Sequence, residues 1–198
     1  MERMRQEARR ELEDRFEIRL AGEGGQGMIL AGVILAEAAV YDGLNAVQTQ
    51  DYGAEARGGA SRSEVIIAHG EIDYPKPILP DFLLCMSQEA CDRFYAEVRD
   101  DGCIVVDTSN VSRIPSHRCM TVAISDIAEE VTGRRITASM VALGLIAGLT
   151  GVVTREALDK AVRDRVPAGT EEMNLRAVDA GYAEAARLQG AGGDSVCG

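Results

Sequence analysis

FEIRLAGEGGQG, residues 16–27, reads as a short β-strand that empties into a glycine-rich loop and then, from Met28, into a long apolar helix. Gly22, Gly24 and Gly27 have the G-x-G-x-x-G spacing, with Gly25 and Gln26 between them. In a strand–loop–helix setting such glycines permit a tight turn, close backbone approach to a ligand, and close packing of helix on sheet. Free N–H groups at the helix start face a phosphate or carboxylate favourably, because the helix dipole is positive there. Three uses stay open: a phosphate-bearing ligand, close packing alone, or contact with a loop of another subunit.

Working outward, strands are predicted at Ile18–Ala21, Asn45–Thr49, Ser63–Ala68, Phe82–Met86, Ile104–Val106 and Met120–Ile124. The runs FLLCM and IVV are continuous apolar segments of the kind found in strands covered on both faces. Helices are predicted at Met28–Tyr41, Gln88–Val98, Thr137–Leu149, Arg155–Arg165 and Glu171–Gln189, with Thr154 and Thr170 as N-caps. A further helical turn through Val131 is expected to be capped by Ser125. The Thr137–Leu149 helix is apolar nearly all round, so it needs cover on most sides, from the sheet and from this chain or another subunit. Alternating β and α elements predict an α/β fold: a single Rossmann-like domain with a mostly parallel sheet flanked by helices. C-terminal helices and a charged N-terminal helical extension complete it. The expected boundaries are 1–15 for the extension, 16–189 for the domain and 190–198 for a flexible, glycine-rich tail.

Composition narrows the function. The 198-residue chain carries a formal charge of −11, 4% aromatics and no tryptophan, which argues against a nucleic-acid partner. Its longest apolar stretch, Ile136–Val153, is interrupted by glycines and by Thr137, Ser139 and Thr150, so no membrane span is expected. The five cysteines show no C-x-x-C spacing and no pattern of zinc or iron–sulfur ligands. Cys85 and Cys103 fall in apolar runs, where cysteine behaves as a small hydrophobe. An odd cysteine count and a charged N-terminus with no secretory signal point to the cytoplasm.

A second segment, DYGAEARGGASRSE at residues 51–64, is as unusual as the first. Gly53, Gly58 and Gly59 free its backbone, while Tyr52, Glu55, Arg57, Ser61 and Arg62 supply polar groups. Arg57 is the residue of most interest. Its permanently charged fork suits a carboxylate, a phosphate or a partner's carbonyl, and an ion pair with Glu55 is the alternative. Both loops follow strands, so they are expected at the carboxyl edge of the sheet, where α/β folds bind ligands. A dinucleotide site also wants an acidic residue at the end of the second strand, where this chain has Gln48-Thr49-Gln50. His69 and His117 have no ligand-spaced partners, and no nucleophile–base pair can be nominated. The expected catalytic and metal-ligating sets are therefore empty.

Taken together and in order, these segments resemble the gamma subunits of 2-oxoacid:ferredoxin oxidoreductases. The resemblance rests on G-x-G-G-Q-G at Gly22–Gly27 and Y-G-x-E-x-R-G-G-x-S at Tyr52–Ser61. It continues with I-x-x-P-x at Ile72–Lys76, P-D-x-L-L at Pro80–Leu84 and M-N-x-x-A-x-x-x-G at Met173–Gly181. It runs from Phe16 to Arg187, and QTQDYGAEARGGASRSEVII is most similar to the 2-oxoglutarate-acting branch. The resemblance implies a heteromeric enzyme that oxidatively decarboxylates a 2-oxoacid, joins the acyl group to coenzyme A and reduces ferredoxin. It further implies that thiamine diphosphate, Mg and the iron–sulfur clusters belong to alpha, beta and delta-type subunits, and that this chain alone holds no cofactor. The binding residues it implies here are Gly22, Gly24, Gly25, Gln26, Gly27, Tyr52, Glu55, Arg57, Gly58, Gly59 and Ser61. Glu23 departs from the family loop, where a small or apolar residue is usual, and its carboxylate repels a directly bound phosphate. Read without the resemblance, the chain also fits an independent NAD(P)- or FAD-binding dehydrogenase, or a non-catalytic interaction module.

Overall fold

The computed structural model describes residues 15–52, 60–115 and 119–191. Among the described residues there are six strands: β1 (Arg15–Glu23), β2 (Asn45–Tyr52), β3 (Ala60–Ala68), β4 (Phe82–Cys85), β5 (Cys103–Asp107) and β6 (Cys119–Val122). Six α-helices accompany them there: α1 (Met28–Tyr41), α2 (Gln88–Phe94), α3 (Ile124–Thr132), α4 (Ala138–Thr150), α5 (Arg155–Arg165) and α6 (Glu171–Ala191). Every strand and helix expected between residues 16 and 189 is present, with the bounds of α1 and α5 as read. Arg15, expected in the N-terminal extension, is instead the first residue of β1, and residues 1–14 lie outside the described residues. The last helix runs two residues beyond Gln189.

The strands form one sheet in the order β2-β3-β1-β4-β5-β6. The ladders β1–β4, β4–β5 and β5–β6 are parallel, and β3 runs antiparallel to both its neighbours. Three of the five ladders are thus parallel, as expected, and β3 is the one strand that runs against the rest and makes the sheet mixed. The reason is a chain-length limit. A parallel return needs a dozen or more connecting residues, and β2 and β3 are separated by only seven. β3 therefore folds straight back and inserts between β2 and β1.

Alternation along the strands sends side chains to two different layers. Ile18 and Leu20 of β1, Val65 and Ile67 of β3, Phe82 and Leu84 of β4, and Val105 of β5 pack beneath α1, α4, α5 and α6. Ala21, Leu83, Cys85, Ile104 and Val106 face the other way, onto Ala90, Cys91 and Phe94 of α2. Helix α4 is buried from Ala138 to Ala147 and again at Leu149. This chain's own elements supply that cover, chiefly α6 along one side. No outside subunit is needed to bury α4.

Two helix starts differ from expectation in their capping. Ser125 does not cap α3, because it lies inside the helix, buried. The fully buried Asp107 at the end of β5 takes that role. Its carboxylate accepts from Ser125 N (3.3 Å), Ser125 Oγ (2.6 Å), Asn110 Nδ2 (2.7 Å) and Ser109 N (3.1 Å). Thr154 does cap α5, accepting from Ala157 N, and is itself held by Asp42. Thr170 donates to the Pro167 carbonyl and accepts from the Asn174 side chain, so it organises the entry to α6 by side-chain contacts.

Candidate functional site

The parallel strands β1 and β4 end together, and β2 ends beside the antiparallel start of β3. All four meet at one edge. Gly22 pairs with Ser61, Glu23 with Ala60, and Tyr52 with Ser61 across the ladders. The feet of the two unusual segments are therefore adjacent, as expected from the sequence. Glu55, Arg57, Gly58 and Gly59 lie outside the described residues, as does His117. Ala60, the first residue after that gap, donates its N–H to Glu89 of α2 (3.1 Å), which anchors the foot to a helix. Ser61 is buried and its hydroxyl donates to the Gly22 carbonyl (3.2 Å), tying the two feet together.

Gln26 organises the first loop. Its side-chain carbonyl accepts from Glu23 N (2.8 Å), and its side-chain amide donates to the Met86 carbonyl at the end of β4 (3.0 Å). Both ends of this side chain are thus taken by the loop and the neighbouring strand. Gly22 is required by the same arrangement, since a Cβ there would overlap Gln26 Oε1 and come within 3.1 Å of Met86 Cβ. Gly27 has φ 78°, a left-handed conformation that L side chains adopt with strain, and turns the chain into α1. Gly24 and Gly25, by contrast, look onto open space. Replacing Gln26 by leucine removes both hydrogen bonds and leaves the Met86 carbonyl and Glu23 N–H unpaired. About 2 kcal/mol of stability should be lost, read as a lowered urea midpoint at unchanged slope.

Helix α1 begins at this edge with no side-chain cap and no acidic residue in its first turn. Among the described residues, no acceptor meets the N–H groups of Met28, Ile29 or Leu30, whereas Ala31 N already reaches Gly27 O (2.9 Å). On the other face of the sheet, Cys85 at the end of β4 and Cys91 in α2 are free and buried. The hydrogen bond between their thiols, and then burial, pushes the Cys85 thiol up, while the same bond pulls Cys91 down. Among the described residues no group of three His, Cys, Asp or Glu side chains could hold a metal ion. No helix of the described residues is long and apolar enough to cross a membrane. His69 lies at the opposite end of the sheet, in an open groove of about 390 Å³ with Phe16, Leu44 and Val152.

Sequence reasoning missed Asp107, which carried only a weak signal, an acid closing the apolar strand CIVVD. The edge as a whole presents backbone donors and glycines, and its described residues include no paired nucleophile and base.

The family model described as pyruvate ferredoxin/flavodoxin oxidoreductase matches residues 17–184. The chain is 47% identical over 185 residues to the 2-oxoglutarate synthase subunit KorC of Methanocaldococcus jannaschii, covering 91% of this chain and 99% of that one. The keto/oxoacid ferredoxin oxidoreductase gamma subunit of Geobacter sulfurreducens superposes with a TM-score of 0.80 at 46% identity, covering 87% of this chain and 97% of that one. The 2-oxoglutarate:ferredoxin oxidoreductase of Magnetococcus marinus, solved with 2-oxoglutarate, coenzyme A and succinyl-CoA bound, shares the fold with a TM-score of 0.79 at 24% identity. That match covers 88% of this chain and 32% of that one. A match over residues 17–184, joined to near-complete coverage of a gamma subunit, settles the family: the chain belongs to the pyruvate ferredoxin/flavodoxin oxidoreductases, as a gamma-type subunit of a 2-oxoacid:ferredoxin oxidoreductase.

Proposed function

We propose that this chain serves a cytoplasmic 2-oxoglutarate:ferredoxin oxidoreductase, in which 2-oxoglutarate is oxidatively decarboxylated to succinyl-CoA as ferredoxin is reduced. The observation that carries the reading is the shared edge. The Gly22–Gly27 loop and the feet of the 53–59 segment meet where α1 starts uncapped, with no catalytic pair among the described residues. Such an edge suits a subunit that shapes access for coenzyme A and docks on partners while others carry the chemistry. The partners in this reading are alpha and beta subunits, a ferredoxin-like delta subunit, and ferredoxin itself. Thiamine diphosphate, Mg and the iron–sulfur clusters are held by those partners. Gly22, Gly24, Gly25, Gln26, Gly27, Tyr52, Glu55, Arg57, Gly58, Gly59 and Ser61 form the access edge. Gln26 and Ser61 act by holding its shape, and Arg57 by direct contact with coenzyme A or a partner.

The test is reconstitution. The purified chain alone should show no 2-oxoglutarate oxidation with coenzyme A and an acceptor dye, and turnover should appear with the co-expressed subunits. Arg57→Ala should fold normally yet raise the KM for coenzyme A or loosen assembly on gel filtration. Losing a buried charged contact of that type costs about 2–5 kcal/mol in binding. Turnover by the lone chain would refute the reading. A lowered melting point with unchanged kinetics and assembly would assign Arg57 to an internal ion pair.

A further inference from the structure

We propose that residues 1–14, which lie outside the described residues, dock as an amphipathic helix in the apolar groove at the end of the sheet opposite the Gly22–Gly27 loop. The groove is open and has a volume of about 390 Å³. Phe16, Leu44, Ile67, Ala68, Val152 and Val153 supply its apolar walls. Phe16, Leu44 and Val152 are only partly buried, so apolar surface meets water there, and covering it is favourable. Asp42 is the one carboxylate among the lining residues. It accepts from Thr154 and makes no ion pair among the described residues.

The point of entry selects the occupant. Side chains alternate along β1, so Arg15 and Phe16 turn to opposite faces. The Arg15 guanidinium donates to Glu17 Oε1 (2.6 Å) and to the carbonyls of Tyr74 (3.3 Å) and Lys76 (3.1 Å), which fixes where the preceding chain joins the sheet. Phe16 turns the other way, into the groove wall. Leu12 is four residues from Phe16, a span of at most about 14 Å when fully extended.

The sequence of the segment suits that place. MERMRQEARRELED has no glycine, proline or β-branched residue, and all but Asp14 are good helix formers. At about 100° per residue, Met1, Met4, Ala8 and Leu12 fall within an arc of about 80°. Every other position is charged or Gln6. A helix of this length is marginal alone in water and is stabilised by packing its apolar face. Arg5 and Arg9 border the stripe on one side and bring positive charge to Asp42. Residues 192–198, the competing occupant within the chain, offer only Val196 and Cys197 as apolar groups.

Trypsin tests the docking, because Arg3, Arg5, Arg9 and Arg10 lie in the segment. A docked segment must leave the groove to be cut, so the rate follows the undocked fraction. In the full chain, Ala8→Asp/Leu12→Asp should be cut after Arg9 and Arg10 about tenfold faster than the parent. Leu44→Asp alters the groove alone and should give the same acceleration, with an unchanged urea slope showing that the body is folded. Benzoylphenylalanine in place of Ala8 reads the location without touching the groove. Irradiation should place its adduct on residues 42–44 or 151–154 of the same chain, both alone and with co-expressed subunits. An adduct anywhere else, on a second copy or on another subunit, would overturn the proposal. So would an adduct on the groove from a photocrosslinker placed at Val196 instead, or equal cleavage of the parent and Ala8→Asp/Leu12→Asp.

Discussion

Gly144→Val is expected to destabilise the chain by about 3 kcal/mol or more, and to lower its melting temperature by roughly 10 °C. Gly144 lies where α4 and α6 cross backbone to backbone. A Cβ there would overlap the Val178 carbonyl, with the Val178 carbonyl carbon at 2.9 Å and its Cα at 3.1 Å. Gly181 faces it from α6, where a Cβ would lie 2.6 Å from Leu145 N and 2.9 Å from Gly144 Cα. A side chain could rotate out of the way, but a main chain cannot without moving its helix. The added atoms must therefore push α6 off α4, and both helices close the larger apolar layer. Gly144→Ala is the sharper form of the test. Helix propensity favours alanine by about 1 kcal/mol in a helix interior, so a net loss isolates the steric term. Gly24→Ala is the matched control, with open space around it and no left-handed backbone to strain, and should stay within about 0.5 kcal/mol. Thermal melts of the three variants decide the matter. An unchanged melting point for Gly144→Val would mean that α4 and α6 do not touch in this way.

That crossing also marks how far the sequence could be read. The apolar character of α4 is visible in TASMVALGLIAGL, and so is its need for cover. Periodicity does not name the covering element, because the M-N-x-x-A-x-x-x-G helix meets α4 only through the tertiary fold. The direction of β3 is recoverable in principle, since seven residues cannot carry a parallel crossover, but alternation alone does not impose that limit. Capping shows the same division. Thr154 caps its own helix, a local relation that the sequence displays. The start of α3 is held by Asp107, eighteen residues before Ser125, so the local rule selected the wrong residue. At the candidate site, the glycine spacing and the convergence of the loops were legible. The pinning role of Gln26 is not legible locally, because its partner Met86 lies sixty residues away.

The other large effect is expected at Arg19. Its guanidinium lies in the sheet at 4% exposure, directly across the β1–β3 ladder from Glu64, itself 7% exposed. Arg19 Nε and Nη2 each lie 2.8 Å from Glu64 Oε1, Arg19 Nη1 pairs with Glu97, and the Phe94 ring stacks 5.1 Å away. Arg19→Met keeps an unbranched apolar stem but leaves the Glu64 carboxylate buried. The nearest remaining cation is Arg62 Nη1, 4.0 Å away. Breaking a buried pair from one side typically costs about 3–5 kcal/mol, most of it from stranding the remaining charge. Removing both partners strands nothing. Arg19→Met/Glu64→Met should accordingly be more stable than Arg19→Met alone, by about 2 kcal/mol or more, although two native groups are gone. A simple tally of lost contacts predicts the opposite order. Chemical denaturation of the two single variants, the double variant and the parent closes the cycle. A double variant less stable than Arg19→Met would show that Glu64 is not stranded when Arg19 is gone, and that Arg62, 4.0 Å away, suffices to hold its carboxylate.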